Sequence, residues 1–393
     1  MEKEGSMNDE DFIRKKLNKS INSIPGKARF DGFHLAVLGR FHTCWRELTW
    51  KIIKLILITR YMPHEFKKIA RIPIPKPGVI NEYRPISLCH DLYCFINGIM
   101  AEITAKAIED AGLIPDGVSA YREGKGCAML VATEMSVRED CIESNIPSCR
   151  LDEDEEKFFD RISLELILAV LRMNGFPVKG FLELKASCMW DEDVDILTDK
   201  GTVFSKFKCG LEQGNPDSPK MANLVIMLKH VLRNSLTEKL KDEYKMFSID
   251  IKDGIIKISS TGFSDDNTLN NCNQCVDELI KSIQEYIKLS GDLSMVLKIG
   301  RKGSKCVIYL YNLPAEKILD LPDFETIAWS FKDDCPTKEI IPVKIFMQKE
   351  EVEKLNKIIM DPERLEKVNK LLDKNDNKHL GLFMDLNADA SIS

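Results

Sequence analysis

The chain is short of positive charge: 56 Lys and Arg stand against 62 Asp and Glu, a formal net charge of −6. Taken alone, that balance argues against a nucleic-acid partner, because phosphate contacts need Lys and Arg. Long apolar runs are missing as well. The most apolar helical stretch, Trp50 to Met62, is interrupted by Lys51, Lys54 and Arg60, well short of the ~20 uninterrupted apolar residues that a membrane span requires. No membrane segment is expected. No apolar secretion segment opens the sequence, and its 12 cysteines fall at irregular spacing, which together predict reduced thiols in an intracellular protein, cytoplasmic or nuclear. A single Cys-x-x-Cys, Cys272 and Cys275, lacks the second pair or the spaced histidines that zinc would need. There is no internal repeat and no low-complexity tract.

What the chain does have is 393 residues, 44% of them hydrophobic, enough for two or three subdomains with a real core. Its bases also gather locally, in Arg14-Lys15-Lys16, in Lys67-Lys68 with Arg71 and Lys76, and in Arg301-Lys302 with Lys305, and local charge can override net charge. The first 24 residues are polar and read as frayed. Helical spacing follows from about Thr43 to Phe66, with a break at Met62-Pro63, and again over Leu92 to Ala111, Leu164 to Met173, Pro219 to Leu236 and Val276 to Leu289. Strand-like runs cover Ala70 to Pro75, Ser148 to Asp154, Met246 to Ile251 and Ile255 to Ser260. A hairpin over Asp195 to Lys208 and a strand pair around Met295 to Ile299 and Cys306 to Tyr311 complete the pattern. Strands and helices interleave with short hairpins, an α+β arrangement rather than a βαβ repeat. Beyond Asn312 the clearest feature is a charged amphipathic helix over Glu350 to Asp373.

Two groups of acids carry the chemistry. Asp154 stands near the end of a strand, inside a run of five acids from Asp152 to Glu156, while Asp265 and Asp266 occupy a turn after Gly262-Phe263-Ser264. If the two elements are neighbours in one sheet, three carboxylates converge on a site for two Mg2+ or Mn2+ ions, the arrangement that clamps attacking and leaving oxygens in phosphoryl transfer. Five acids brought beside two more would crowd like charge around one cleft.

Other signals keep a fixed order around these acids. Ile-Pro-Lys-Pro-Gly (Ile74 to Gly78) and Tyr-Arg-Pro-Ile-Ser-Leu (Tyr83 to Leu88) come first. Asp154 with Phe159-Asp160, and Gly-Leu-Glu-Gln-Gly-Asn-Pro-Asp-Ser-Pro (Gly210 to Pro219), follow. The set resembles the motifs of reverse transcriptases, and within them those of the non-LTR retrotransposon (LINE-like) branch. That family's Asp-x-x-x-x-Phe-Asp fits Asp154, Phe159 and Asp160, and its Gly-x-x-Gln-Gly-x-Pro-x-Ser-Pro-x-x-x-Asn fits Gly210 to Asn223. Its aromatic-Ala-Asp-Asp appears as Phe263-Ser264-Asp265-Asp266. Pro25-Gly26 with Asp31-Gly32-Phe33 is similar to the branch's entry motif.

The resemblance implies a right-hand polymerase fold: an antiparallel palm sheet and fingers over residues 25–312, then a short helical thumb-like segment over 313–393. It also implies an RNA-directed DNA polymerase that takes an RNA template, a DNA or RNA primer and dNTPs. Asp154, Asp265 and Asp266 become metal ligands, helped by the backbone carbonyl of Glu155. Lys76 and Arg84 face the triphosphate, Phe159 excludes a 2′-hydroxyl, and Gln213 and Gly214 border the nucleotide. Lys305, in competition with Lys302, is the basic residue that follows the Asp-Asp hairpin.

Several positions depart from the family pattern. Ser264 replaces Ala, Asn215 replaces Ser or Cys, and Asp217, Lys220, Asp152 and Glu153 put charge where the family is mostly apolar. Two rival readings therefore stand beside the first: a decayed polymerase scaffold that binds RNA or protein, and an RNA-directed RNA polymerase.

Overall fold

The computed structural model describes residues 7, 9–23, 29, 32–76, 83–189, 193–198, 201–206, 209–244, 250–251, 254–255, 260–263, 266–301, 306–314, 317–318, 321–332 and 335–347, with short stretches between 352 and 391. The main elements begin with α1 (Glu10–Ile21), α2 (Thr43–Thr59), β1 (Ile69–Pro75), β2 (Tyr83–Cys89), α3 (Asp91–Asp110), α4 (Cys127–Glu143) and β3 (Ser148–Glu156). Next come α5 (Phe158–Arg161), α6 (Leu164–Met173), α7 (Glu183–Met189), β4 (Asp193–Thr198), β5 (Gly201–Lys206) and α8 (Ser218–Tyr244). The chain continues through β6 (Asp250–Ile251), β7 (Gly254–Ile255), β8 (Ser260–Phe263), β9 (Asp266–Cys272), α9 (Val276–Val296), β10 (Gly300–Arg301) and β11 (Val307–Tyr311). It then forms β12 (Glu325–Lys332), β13 (Cys335–Pro342) and β14 (Lys344–Met347). These elements make two compact units, Met1–Ile114 with Phe159–Val225, and Pro115–Phe158 with Ile226–Ser393.

In the first unit, Asp9 caps α1 by accepting from the Phe12 amide, and Ile13, Leu17 and Ile21 are buried along one face. The frayed segment read from the polar composition is thus a docked helix: one apolar residue per turn is enough to anchor it. β1 and β2 form an antiparallel hairpin with Ile69 opposite Cys89 and Ile74 opposite Arg84. β4 joins β1 in parallel and β5 closes the sheet, in the order β2-β1-β4-β5. α3 is apolar nearly all round and buries Leu92, Tyr93, Ile96, Ile99 and Met100, as a core helix does.

In the second unit β3 is the central strand. It pairs antiparallel with β9 on one side and with β11 and β10 on the other, β11 takes β14 in parallel, and β8 closes onto β9. Period-two alternation sends Cys149 and Leu151 into a core with Leu269, Ile283, Tyr286, Ile287, Ile308 and Leu310. Arg150 points to the other face, over the Tyr309 ring at 4.7 Å.

Two expectations are corrected here. Met295 to Ile299 alternates like a strand, yet α9 runs to Val296, because Tyr286, Ile287, Ser290, Leu293 and Ser294 continue its buried helical face. The short β10 that follows pairs with β3 and not with β11. The C-terminal segment is not helical throughout: after Asn312 the described residues form the antiparallel β12–β13 hairpin and then β14, from runs rich in the β-branched and aromatic residues that favour strands, while residues 352–353, 356–357, 362–363 and 365–366, inside the expected Glu350 to Asp373 helix, are helical.

Candidate active site

The carboxylate edge belongs to the second unit. The β3–β9 register sets Asp154 directly opposite Asp266. β8 ends at Phe263, which is opposite Asp266, so the hairpin leaves only two residues for its turn. Those two, Ser264 and Asp265, lie outside the described residues, as do Lys302 and Lys305. Asp154 is buried, with 8% of its surface exposed. Glu155 is opposite Arg301 of β10. An all-oxygen donor set of this kind suits a hard divalent cation such as Mg2+ or Mn2+. Among the described residues no group of three or more His, Cys, Asp or Glu side chains is arranged to hold a metal ion; the third carboxylate of the set, Asp265, is not one of them.

Three acids of the five-acid run are neutralised by neighbouring bases. Asp152 accepts from Arg150 at 2.6 and 2.9 Å and from Thr268 Oγ1 at 3.1 Å. Glu153 takes Arg233 at 2.7 Å, and Glu155 pairs with Lys229. Alternation separates them further, because Asp152 and Asp154 share one face of β3 while Glu153 and Glu155 share the other. Sequence reasoning missed Lys229 and Arg233. The signal was there: two bases four residues apart in a helix rich in Met, Leu and Val, matching two acids two residues apart in a strand. Between them His230 is fully buried, its Nε2 3.1 Å from Asn267 Oδ1. Burial, reinforced by the neighbouring Arg233 and Lys229 charges, pushes its pKa down to about 3, so the ring is neutral at ordinary pH.

The first unit holds the other candidates. Arg84 lies exposed on β2, and Lys76 directly follows β1. The Gln-Gly loop is pinned to the same hairpin, with the Gln213 carbonyl accepting from the Ser87 amide at 2.6 Å. Gly214 has φ +126°, and a Cβ there would collide with the Ser87 carbonyl. Gly210, at φ +95°, would place one 2.7 Å from the Asp160 carbonyl oxygen. Both positions therefore require glycine. Phe159 is half-buried, and its carbonyl accepts from the Leu211 amide at 2.6 Å. Asp160 meets Arg71 of β1 at 3.4 Å. Phe159, Gln213, Gly214 and the Arg84 strand are thereby brought into one hydrogen-bonded assembly.

Under the loop lies a second buried polar group that sequence reasoning missed. Glu212 accepts from Asn215 Nδ2 at 3.0 Å and from the Tyr93 hydroxyl at 3.4 Å, and Asp217 pairs with Lys185 of α7. Asp217 looked like a foreign charge in an apolar position; its buried counter-ion is supplied more than thirty residues upstream.

A family model described as reverse transcriptase (RNA-dependent DNA polymerase) matches residues 74–292, more than half of the chain. The chain belongs to the reverse transcriptase family. The matched span of this reverse transcriptase runs from the β1 end of the hairpin into α9 and takes in every candidate residue except Lys305 and its competitor Lys302. Among solved structures, the chain is similar to an apo telomerase from Candida tropicalis truncated from its C-terminal domain, at 11% identity and TM-score 0.45, over 72% of this chain and 56% of that one. It is also similar to telomerase from Candida tropicalis in complex with the TWJ fragment of telomeric RNA, at 13% identity and TM-score 0.44, over 66% and 44%. The reverse transcriptase thus spans about half the length of those two proteins. No curated protein matches its sequence. No helix among the described residues is long and apolar enough to cross a membrane.

Proposed function

We propose that the chain is an RNA-directed DNA polymerase of the non-LTR, LINE-like branch, adding dNTPs to a DNA or RNA primer on an RNA template. The observation that carries this reading is the strand register that opposes Asp154 to Asp266 at the mouth of a tight hairpin, because the chemistry needs carboxylates at one level. In this reading residues 25–312 are fingers and palm, and the β3-centred sheet is the palm. Two Mg2+ or Mn2+ ions, when bound, supply activation of the primer 3′-hydroxyl and neutralise charge on the departing pyrophosphate. Asp154, Asp265 and Asp266 hold them, with the Glu155 carbonyl. Lys76 and Arg84 steady the triphosphate, Arg84 through its planar fork of donors. Phe159 occupies the space a 2′-hydroxyl would need, and Gly214 gives the nucleotide close access to backbone. Lys305 is the proton donor to pyrophosphate. Transposition within an element and an intracellular site of action complete the reading.

Primer extension on an RNA template, run with dNTPs and separately with rNTPs, tests it. Extension with dNTPs is expected, and Asp154→Asn should abolish it while leaving the fold intact, because the change removes metal-binding charge and no packing. Retained extension within about tenfold of the parent would refute the assignment. No activity in the parent would instead favour a decayed scaffold, and extension with rNTPs alone an RNA polymerase.

A further inference from the structure

Glu153 and Glu155 project from β3 on the face opposite Asp154. There they meet Lys229 and Arg233, one helical turn apart on α8. Arg233 Nη2 donates to Glu153 Oε2 at 2.7 Å and to Ser290 Oγ at 3.0 Å, and Ser290 Oγ donates to that same carboxylate oxygen at 2.7 Å. Lys229 Nζ pairs with Glu155 and lies 4.0 Å from Glu153 Oε2. All four charged side chains are at most 2% exposed. Two positive and two negative charges close the network without net charge.

Such a quartet is a poor way to gain stability, since taking ions out of water costs several kcal/mol each and apolar residues of similar volume usually do as well. Apolar side chains there would simply extend the core already begun by Cys149 and Leu151 on the same face. Charged hydrogen bonds do something packing cannot: their direction fixes the side chains, and through them the peptide planes, on either side of one residue. That residue is Asp154.

We propose that Lys229 and Arg233 are positioning residues for divalent metal. They anchor Glu153 and Glu155 from beneath and so hold the strand segment that presents Asp154 and the Glu155 carbonyl. The inference rests on the reading of the Asp154–Asp266 edge as a metal site. It also differs in sign from a through-space effect: if Lys229 acted only by its charge, removing it would make the opposite face more negative and tighten cation binding.

The test is Mn2+ binding to the full chain, followed by electron paramagnetic resonance of free Mn2+, with thermal melts to establish that each variant is folded. Lys229→Met is expected to weaken binding about tenfold or more, as loss of a group that orients a metal ligand does. Ser290→Ala, which trims one hydroxyl and leaves every charge in place, should weaken it about threefold and decides the matter if Lys229→Met does not fold. Binding within about twofold of the parent in the folded variants, or tighter binding, would overturn the proposal. Asp154→Asn separates the two levels. If it leaves Mn2+ binding unchanged, or if the parent binds none, the metal reading fails and the inference with it; if it removes binding while Lys229→Met and Ser290→Ala do not, only the positioning role fails.

Discussion

Phe159 shows how much of one residue's role is set by its backbone. Its carbonyl is tied to the Leu211 amide at 2.6 Å, so the half-buried ring is held beside the Gln-Gly loop. If the ring is a steric filter against ribose, Phe159→Val should raise rNTP incorporation relative to dNTP by about 10–200-fold, the worth of one lost steric contact. Unchanged selectivity in an active variant would reduce Phe159 to a core aromatic. His230 makes a prediction of a different kind. Its folded pKa is depressed from 6.5 to about 3 by burial and by the adjacent Arg233 and Lys229. As pH falls below about 6.5, the unfolded chain binds a proton that the folded chain refuses, so His230 costs stability across that window, by up to about 1.4 kcal/mol per pH unit. Urea midpoints of the parent should therefore drop from pH 7 to pH 5 more steeply than those of His230→Gln. Equal slopes in the two proteins would mean that the ring is not neutral when buried.

At the scale of elements, two buried acids that look alien in the sequence each answer to a base on another element: Asp217, just before α8, to Lys185 on α7, and Glu153 on β3 to Arg233 on α8. Breaking such a pair strands a charge in the interior, whereas removing both partners does not. Lys185→Met should cost about 3–5 kcal/mol, and Lys185→Met with Asp217→Leu should recover most of it. A double variant as unstable as the single one would show that Lys185 matters for its stem and not for its charge. These pairings also mark the limit of what the sequence reveals. α6 was legible because it follows the helical period over its whole length, and α3 because its apolar character runs through twenty residues. The register of Asp154 against Asp266 was not, but the short hairpin and the strand implied it. The partners of Glu153 and Asp217 were out of reach, since a buried acid and a solvated acid read identically in one dimension. α1 was missed for a related reason: a polar helix with three buried apolar residues gains its order from what it packs against.

Across the whole molecule the difficulty is charge. A net charge of −6 repels a nucleic-acid backbone, yet the motifs in their order, and the family to which they belong, call for a template and a primer. Internal pairing does not change that sum, because Asp152, Glu153, Glu155 and Asp217 each take one base out of reach with them. What a phosphate backbone can meet is local positive charge, such as the exposed Arg84. Binding of an RNA–DNA primer–template in the absence of nucleotide should therefore still be driven by release of counterions. Fluorescence anisotropy across a monovalent salt series is expected to give log K falling with log[salt] at a slope of about −2 to −4, corresponding to a handful of phosphate contacts. Arg84→Ala should lower that slope by about one unit if Arg84 touches backbone phosphate. Affinity that stays flat or rises with salt would mean that the net negative charge governs after all, and that the basic clusters of this chain are only a solvated surface.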